Sequence, residues 1–480
     1  MSVRGRSLVS LLWWRKPWSC RRWFATTLGS TKKVVVALSG GVDSAVATGL
    51  LQQQENTTIT EAIHMTNWNA EDDDSISSCM ERDWRDAQTV AQYYGISVRH
   101  QSFEKEYWHQ VFQPYLDDLS SKGWMGNPDV DCNVHVKFGV LREHVQNHYG
   151  RDAWLATGHY ARLWRKRELE AWIEDSSSSC HEQTVEWIWT WGRSAFGHVE
   201  KLDDDDDLPL LVSAVDPSKD QSYFLSGCSS QQVSRVLFPL GDYYKTQNAS
   251  GSDISTSVRQ LAKDWDLPVA HKRDSVGICF IGKRKGGFRA FLRHYYEPPG
   301  PNVVQLVDVD TYKVVGVVDA LTAQGAKISG SHVKYFVVGR DDKDTSKILV
   351  CAGTHHPALY SDSIMLASDF SWVMSEIPGP LRSQGSLRVQ CRIRNLQPLM
   401  DATLHRDILS GEYALFLDRP FRGIAPGQRA AVYLQGICLG GATIVKAGPS
   451  YFERNLPLPK ELHPAGANDV SVQRHEEEYA

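Results

Sequence analysis

Three short segments of this 480-residue chain combine residue types that do chemistry in proteins. The first, residues 39–44, reads Ser-Gly-Gly-Val-Asp-Ser. Its glycines allow a backbone to approach an anion closely, and its two hydroxyls add hydrogen-bond donors. It is not a G-x-x-x-x-G-K-S/T loop, the commoner phosphate-binding pattern. The segment therefore predicts a phosphate-binding turn, with a tight turn that holds no ligand as the alternative.

The other two segments surround cysteines. Residues 126–133 read G-N-P-D-V-D-C-N and include Cys132, and residues 274–282 read D-S-V-G-I-C-F-I-G and include Cys279. The nine cysteines of the chain form no C-x-x-C pair, so the sequence does not predict a zinc site. Each of the two cysteines, taken singly, fits a buried structural thiol as well as a reactive one.

The elements around these segments determine where they lie. Residues 34–38 form an apolar, β-branched run that predicts a buried strand, and an apolar-spaced helix follows the turn. Further strands are predicted over 58–65, 96–103 and 152–157, with helices over 81–94 and 107–119. This alternation predicts an α/β fold with a doubly wound parallel sheet, which binds ligands at the carboxyl ends of its strands. Because the 39–44 turn and Gly158 both follow strands, we expect them to share one crevice.

The C-terminal part of the chain has a different pattern. Residues 298–301, Pro-Pro-Gly-Pro, predict a domain boundary. Beyond it, Leu387, Val389, Cys391 and Ile393 alternate with polar residues, as in a small β-barrel. Residues 163–211, with their runs of Ser and Asp, predict a low-complexity surface insertion.

Charge and composition restrict where in the cell the protein is located and which partners it can bind. The first 33 residues contain eight Lys or Arg and no Asp or Glu, which predicts an organellar transit peptide; a basic RNA-binding arm is the alternative. Subtracting these eight positive charges from the net charge of −5 leaves about −13, so a nucleic-acid contact requires a local basic patch. The chain has no apolar run near the ~20 residues of a membrane helix, which predicts a protein without a membrane partner.

Together these segments make the resemblance to one family specific. The turn is similar to the PP-loop of the ATP pyrophosphatases, and the chain resembles the tRNA-specific 2-thiouridylase family, MnmA in bacteria and its mitochondrial counterpart in eukaryotes. The matching motifs occur in family order from residue 34 to about 444: S-G-G-V-D-S, N-P-D-x-x-C-N, T-G-H-Y-A-R (157–162), K-D-Q-S-Y-F-L (219–225), F-P-L-G (238–241), G-I-C-F-I-G (277–282), H-P-A-L-Y (356–360), A-P-G-Q (425–428) and C-L-G-G (438–441).

The resemblance implies an ATP-dependent sulfurtransferase. ATP would adenylate the C2 oxygen of the wobble uridine in tRNA, and sulfur would replace it to give 2-thiouridine, AMP and pyrophosphate. By similarity Cys279 carries a persulfide, and Cys132 is the second catalytic cysteine, the two ending as a disulfide. The implied partners are the tRNA anticodon and a cysteine desulfurase or sulfur-relay protein, in the mitochondrial matrix, with a plastid as the alternative address.

The resemblance also implies roles for individual residues. The expected ATP-binding residues are Ala37, Leu38, Ser39, Gly40, Gly41, Val42, Asp43, Ser44, Met65 and Gly158, with Mg²⁺ accompanying ATP and Asp43 helping to place it. The expected contacts with tRNA or the target base are Asn127, Pro128, Asp129, Lys219, Asp220, Gln221, Arg394 and Asn395, the last where the family usually has Tyr.

The implied domain organisation has five parts. They are a transit peptide at 1–30, a PP-loop ATP pyrophosphatase domain at 31–235 with the insertion at 163–211, a small central tRNA-binding domain at 236–300, a C-terminal β-barrel at 301–450 and a flexible tail at 451–480. Two functional alternatives are another PP-loop ATP-dependent ligase or amidotransferase, which needs no cysteine pair, and a tRNA-binding protein without catalytic activity.

Overall fold

The computed structural model describes residues 31–68, 74–165 (74–79 by backbone only), 168–169, 171–172, 208–246, 257–274, 291–296, 303–319, 334–341, 343–344, 346–459 and 462. Cys279, the predicted transit peptide and most of the insertion lie outside these residues.

A five-stranded parallel sheet forms the centre of the N-terminal body. Its strands are β1 (Lys32–Ala37), β2 (Thr57–Thr66), β3 (Val98–Ser102), β4 (Trp154–Ala156) and β7 (Val236–Leu237), in the order β3-β2-β1-β4-β7. All four pairings are parallel. Val34, Val35 and Val36 of β1 are fully buried, as expected for a parallel strand covered on both faces. The predicted α/β class and parallel sheet are therefore confirmed.

Helices cover both faces of this sheet. On one face, α1 (Val42–Gln52) and α2 (Asp74–Tyr94) pack with the helix Val258–Asp264. On the other face lie Glu104–Tyr107, the π-helical turn Trp108–Phe112, Gln113–Lys122, Pro128–Asp131, the π-helical segment Cys132–Val140 and Leu141–Tyr149. Shorter helices are Ser222–Leu225, Ser230–Val233, Gly379–Gln384 and the 3₁₀ turn Pro357–Leu359.

A closed antiparallel barrel forms the C-terminal body. Its strands are β12 (Tyr360–Leu366), β14 (Ser386–Arg392), β15 (Met400–Arg406), β16 (Tyr413–Arg422), β17 (Arg429–Leu434) and β18 (Ile437–Ala447), with β13 (Ser371–Trp372) paired to β18. The pairing of β12 with both β16 and β18 closes the ring, which removes exposed strand edges. Leu387, Val389, Cys391 and Ile393 are buried, which confirms the predicted alternation.

Two features of the sheets differ from the domain boundaries expected from sequence. Strand β7 is an edge of the parallel sheet, so the α/β body continues past residue 235. Strands β8 (Val303–Asp308), β9 (Val314–Asp319), β10 (Tyr335–Arg340) and β11 (Lys347–Ala352) form a sheet of their own, so the barrel begins near residue 360 rather than 301.

A short hairpin joins the two bodies. Strand β5 (Arg162–Trp164) pairs with β6 (Leu210–Val212), and the predicted insertion runs between them. Strand β6 pairs in turn with β18 of the barrel, through Leu211 and Val212 against Cys438 and Ile437. Two strands of the α/β body therefore extend the barrel sheet. They hold the barrel beside the carboxyl end of β4, residues 154–156.

Candidate active site

The 39–44 turn has the geometry of an anion-binding site. Gly40 has a φ of +76°, and a Cβ there would lie 2.2 Å from the backbone oxygen of Asp83. The Ser39 N–H donates to Ser44 Oγ (3.2 Å), whose hydroxyl donates to the Gly41 carbonyl (3.1 Å). Gly41 caps α1 without a side-chain hydrogen bond, so the first N–H groups of the helix remain available to a ligand.

Gly158 closes this turn from the neighbouring strand. A Cβ at Gly158 would lie 2.8 Å from the Ser44 backbone nitrogen and 2.9 Å from the Asp43 carbonyl carbon. The ends of β1 and β4 therefore meet, as expected for the point where the strand order reverses. Leu38 and Val42 have buried side chains, so these two predicted ATP residues can contribute only backbone groups.

The predicted adenine contact lies on the next strand. Met65 is half-buried on β2, and Ala37 pairs with Ile63 of the same strand. The side chains of Ala37 and Met65 both pack against the core that the Trp108–Val145 helices form with the sheet. Met65 is therefore at the carboxyl end of β2, beside the turn.

A buried lysine that the sequence analysis missed neutralises Asp43. Lys245 Nζ lies 2.5 Å from Asp43 Oδ1 and 2.9 Å from Asp274 Oδ1, and its side chain is 3% exposed. The Tyr160 hydroxyl donates to the same Asp43 oxygen (2.8 Å). Burial and the Asp43 carboxylate raise the pKa of Tyr160, so its hydroxyl keeps its proton. Lys245 is 202 residues from Asp43 in the chain, and no sequence signal links them.

Further cations surround Asp274, five residues before Cys279. Lys219 Nζ lies 2.9 Å from Asp274 Oδ2, and Arg259 Nη2 lies 2.5 Å from Oδ1. Burial opposes ionisation of Asp274, but hydrogen bonds from Lys219 and Lys245 outweigh it and hold its pKa below the ordinary range. On the other side of the turn, Lys272 Nζ donates to the Gly40 carbonyl (2.9 Å). Lys272 is also paired with Asp83 (2.7 Å) and Asp86. Cationic side chains therefore lie on both sides of the turn, each paired with a carboxylate.

The carboxylate of Asp43 also fits the predicted role beside Mg²⁺. Within the described part of the chain, Tyr160 and Lys245 both donate to Oδ1 of this carboxylate, and Oδ2 accepts no hydrogen bond there. Mg²⁺ takes oxygen ligands and usually keeps several waters and substrate phosphates. Among the described residues, no group of three or more His, Cys, Asp or Glu is arranged to hold a metal by itself.

Cys132 lies at the junction of the short helix Pro128–Asp131 and the π-helical segment Cys132–Val140. It is fully buried, and Asn67 Nδ2 lies 3.9 Å from its sulfur. Asn67 directly follows β2, so Cys132 is placed at the same edge of the sheet as the turn. The predicted partner Cys279 lies outside the described residues. Burial raises the pKa of Cys228, Cys351, Cys391 and Cys438 to about 12, which is typical of structural thiols.

The residues before Cys132 are held by their own cap and by the barrel. Asn127 Oδ1 accepts from the Asp129 N–H (3.2 Å), with Pro128 at the first helical position. Gln428 of the barrel donates to the Met125 carbonyl (2.6 Å). Burial raises the pKa of Asp131 to about 6, with Arg429 opposing the shift. The loop predicted to meet the target base is therefore built at the interface of the two bodies.

The predicted tRNA residues Lys219, Asp220 and Gln221 have three different environments. Lys219 is partly exposed and paired with Asp274. Gln221 bonds the Tyr160 backbone through both its own N–H (2.8 Å) and its side chain (2.9 Å). Asp220 is 1% exposed and bonded to Arg392 Nη1 at 2.7 Å. The side chain of Asp220 therefore ties the α/β body to the barrel, and its predicted contact with tRNA stays a prediction.

Arg392 and Arg394 lie on one edge of the barrel but differ in exposure. The alternation predicted Arg392 outside, yet it is buried because it reaches Asp220. Arg394 is exposed, and its guanidinium donates to the carbonyls of Arg422 (3.2 Å) and Gly423. Asn395 is half-buried, and its Oδ1 makes no hydrogen bond within the part of the chain that the structure describes. Arg394 and Asn395 thus remain candidates for a polar ligand.

Helices long and apolar enough to cross a membrane are not found among the described residues.

His159, next to Gly158, is buried, and burial together with the nearby Lys137 charge lowers its pKa well below its ordinary value. His159 is therefore neutral and hydrogen-bonded to the Thr157 hydroxyl (2.7 Å).

Comparison with known proteins first defines a class. Residues 32–190 and 190–283 match the family model described as a tRNA methyl transferase HUP domain, and residues 362–444 match an aminomethyltransferase β-barrel domain. These ranges coincide with the parallel sheet and its site and with the closed barrel. The chain is therefore a HUP-domain protein with an appended β-barrel.

Relatives that align over nearly the whole chain define the family. The mitochondrial tRNA-specific 2-thiouridylase 1 of Drosophila melanogaster is 34% identical over 425 residues, which cover 87% of this chain and 95% of the relative. The tRNA-specific 2-thiouridylase MnmA of Protochlamydia amoebophila is 33% identical, covering 91% and 99%. The chain belongs to the tRNA-specific 2-thiouridylase family. A solved structure of the U34-tRNA thiolase NcsA from Methanococcus maripaludis matches at 17% identity, covering 51% of this chain and 60% of that one, with a TM-score of 0.22, too slight a likeness to inform the fold.

Proposed function

We propose that this protein is a tRNA-specific 2-thiouridylase that works in the mitochondrial matrix. It uses ATP to adenylate the C2 oxygen of the wobble uridine, and it then replaces that oxygen with sulfur. The observation that carries the proposal is that one sheet edge holds both the cation-flanked 39–44 turn and the segment that begins with Cys132. The basic, acid-free N-terminus and the mitochondrial relative support the location.

ATP binds with its phosphates on the turn. The unpaired N–H groups at the start of α1 and the hydroxyls of Ser39 and Ser44 donate to the phosphate oxygens. Lys245 holds the Asp43 carboxylate in the turn, and Asp43 would help to hold Mg²⁺. The bound ion would stabilise the charge on the phosphates. Met65 contacts the adenine, and Gly158 leaves room for the nucleotide because it has no side chain.

Adenylation is needed because the uracil C2 oxygen is a poor leaving group. Once the oxygen is joined to the α-phosphorus of ATP, it can depart as part of AMP. Sulfur arrives on Cys279 as a persulfide, supplied by a cysteine desulfurase or a sulfur-relay protein. The terminal persulfide sulfur bonds to C2 as the C–O bond to AMP breaks.

Cys132 then completes the transfer. Its thiolate attacks the Cys279 sulfur, the sulfur–sulfur bond breaks, and its electron pair leaves with the sulfur now bonded to C2. The products are 2-thiouridine and a Cys132–Cys279 disulfide, which a dithiol reductant returns to two thiols.

The target uridine reaches this site from a tRNA that lies across both bodies. A base must leave the anticodon stack to enter a pocket, where the capped Asn127–Asp129 segment would meet it. Lys219 and Gln221 on the α/β body and Arg394 and Asn395 on the barrel provide polar groups for the RNA. We exclude Asp220 from this set because its side chain is buried in the ion pair with Arg392.

Transfer of labelled sulfur tests the proposal. The full chain is incubated with ATP, tRNA, cysteine labelled with ³⁵S and a cysteine desulfurase, and label in 2-thiouridine is measured. We expect label with the wild type and its loss with Cys132→Ser and Cys279→Ser. Cys228→Ala, which alters a thiol whose pKa burial raises to about 12, is the control and should retain transfer.

Two results would contradict the proposal in different ways. Undiminished label in both serine variants would exclude the cysteine mechanism and favour another PP-loop ligase. Binding of tRNA without any ATP turnover by the wild type would indicate a tRNA-binding protein that lacks the activity.

A further inference from the structure

Asn67 is a buried polar residue that no predicted role includes. It directly follows β2 at the carboxyl edge of the sheet, and it is 1% exposed. The next residue, Trp68, packs against Phe112 and Phe291 in an aromatic cluster. Position 67 is therefore next to an apolar core, where an amide is costly to bury.

The amide of Asn67 has an unusual set of contacts. Its Nδ2 lies 3.9 Å from Cys132 Sγ, within the reach of an N–H···S hydrogen bond. Its Oδ1 is buried and has no hydrogen-bond partner among the described residues. A buried polar atom that is left unpaired lowers stability, so this amide is retained at a cost.

Asn133, beside Cys132 in the chain, provides the comparison. It is 2% exposed and its Oδ1 is likewise unpaired, but its Nδ2 donates to the Phe224 carbonyl (3.3 Å). Its amide therefore joins two backbone segments, whereas the contact that the Asn67 amide makes is with a sulfur.

The residues near Cys132 in the chain carry charges of both signs. Asp129 and Asp131 precede it on the short helix, and Lys137 follows it on the π-helical segment. Arg429 of the barrel acts on Asp131 and is bonded to Ser226 and to the Gly441 carbonyl. A neutral N–H donor directed at the sulfur stabilises the thiolate whatever the balance of these charges.

We propose that Asn67 is a positioning residue that holds the Cys132 sulfur and stabilises its thiolate through an N–H···S hydrogen bond. The inference rests on the proposed function, in which Cys132 reacts as a thiolate. It assigns a role to the residue at the end of β2 and accounts for an amide that is retained in an apolar setting with one end unpaired.

The pH dependence of alkylation tests this proposal. Full-length protein is treated with iodoacetamide across a pH series, and the Cys132 peptide is quantified by mass spectrometry. Asn67→Leu, which keeps the size but removes the donor, should raise the midpoint by about one pH unit, a tenfold loss of thiolate near neutral pH. Asn67→Asp, which adds a negative charge at the same size, should raise it further.

Thermal unfolding separates this role from a structural one. Asn67→Leu should have an unchanged or higher midpoint because it removes an unpaired buried amide. The matched control Asn133→Leu should lower the thermal midpoint, because it loses the Phe224 bond, and should leave the Cys132 alkylation profile unchanged.

Three results would overturn the proposal. They are a Cys132 profile in Asn67→Leu that matches the wild type, an equal shift in Asn133→Leu, and failure of both Asn67 variants to fold, since that would make the amide structural. If the profile shifts as expected while wild-type protein transfers no sulfur to tRNA, the proposed function fails but the role of Asn67 stands.

Discussion

The buried ion pair between Asp220 and Arg392 decides how the barrel is held against the α/β body. Asp220 Oδ1 accepts from the N–H groups of Ala214 (3.0 Å) and Ser222 (3.1 Å), and Oδ2 accepts from the Ser222 hydroxyl (3.0 Å) and from Arg392 Nη1 (2.7 Å). Arg392→Met would leave this carboxylate with three neutral donors and without its counter-ion.

The loss of stability expected for Arg392→Met follows from this arrangement. Removing one partner of a buried pair costs 3–5 kcal/mol, and the three retained hydrogen bonds place the expected loss near the lower end, about 3 kcal/mol. For a chain of this length that corresponds to a thermal midpoint lower by about 3 °C. The double variant Asp220→Asn/Arg392→Met removes both charges and should recover much of the loss, with a coupling energy of about 2 kcal/mol.

Urea unfolding followed by tryptophan fluorescence measures the cycle, and tRNA affinity is measured on the same proteins by fluorescence anisotropy. Arg388→Met is the matched control, since Arg388 lies on the same strand but pairs with Asp418 at the surface, where a pair contributes less than about 1 kcal/mol. The reasoning is refuted if Asp220→Asn unfolds at the wild-type urea concentration yet binds tRNA tenfold more weakly. That result would restore Asp220 as an RNA contact.

Three further predictions concern the turn and the segment before Cys132. Gly158→Ala should lower ATP affinity more than tenfold in calorimetry, because its Cβ meets the backbone of α1, whereas Gly339→Ala, with no atom within 4 Å of the added Cβ, should not. Lys245→Gln should weaken ATP binding at least tenfold and AMP binding much less, because it leaves the Asp43 carboxylate without its counter-ion in the turn proposed to hold the phosphates; equal losses for both nucleotides would contradict this. Asp131 has a pKa of about 6, above its ordinary value, so the folded state loses stability as the pH rises from about 4 to 6. Asp131→Asn should therefore raise the free energy of unfolding in urea at pH 8, by up to about 3 kcal/mol, and leave it unchanged at pH 4; a gain at both pH values would show that charge is not the cause.

The sequence was sufficient for features that short segments determine. The apolar run before Ser39, the glycines after it and the periodicity of the next elements specify a strand, a turn and a helix, since backbone sterics and burial act within a few residues. Gly158 could be placed beside the turn because the carboxyl ends of parallel strands meet at one sheet edge. The alternation of 387–393 likewise predicted the buried face of β14.

Only the tertiary structure decided which distant side chains meet. Lys245 reaches Asp43 across 202 residues, and Asn67 approaches Cys132 from the end of β2. Arg392, at a position that the alternation predicted to be exposed, is buried in its pair with Asp220. None of these contacts has a local signal, because ion pairs and amide–sulfur contacts depend on side-chain position after the chain has packed. Periodicity reports which face of an element is buried, but it does not report which charge from another element is buried with it.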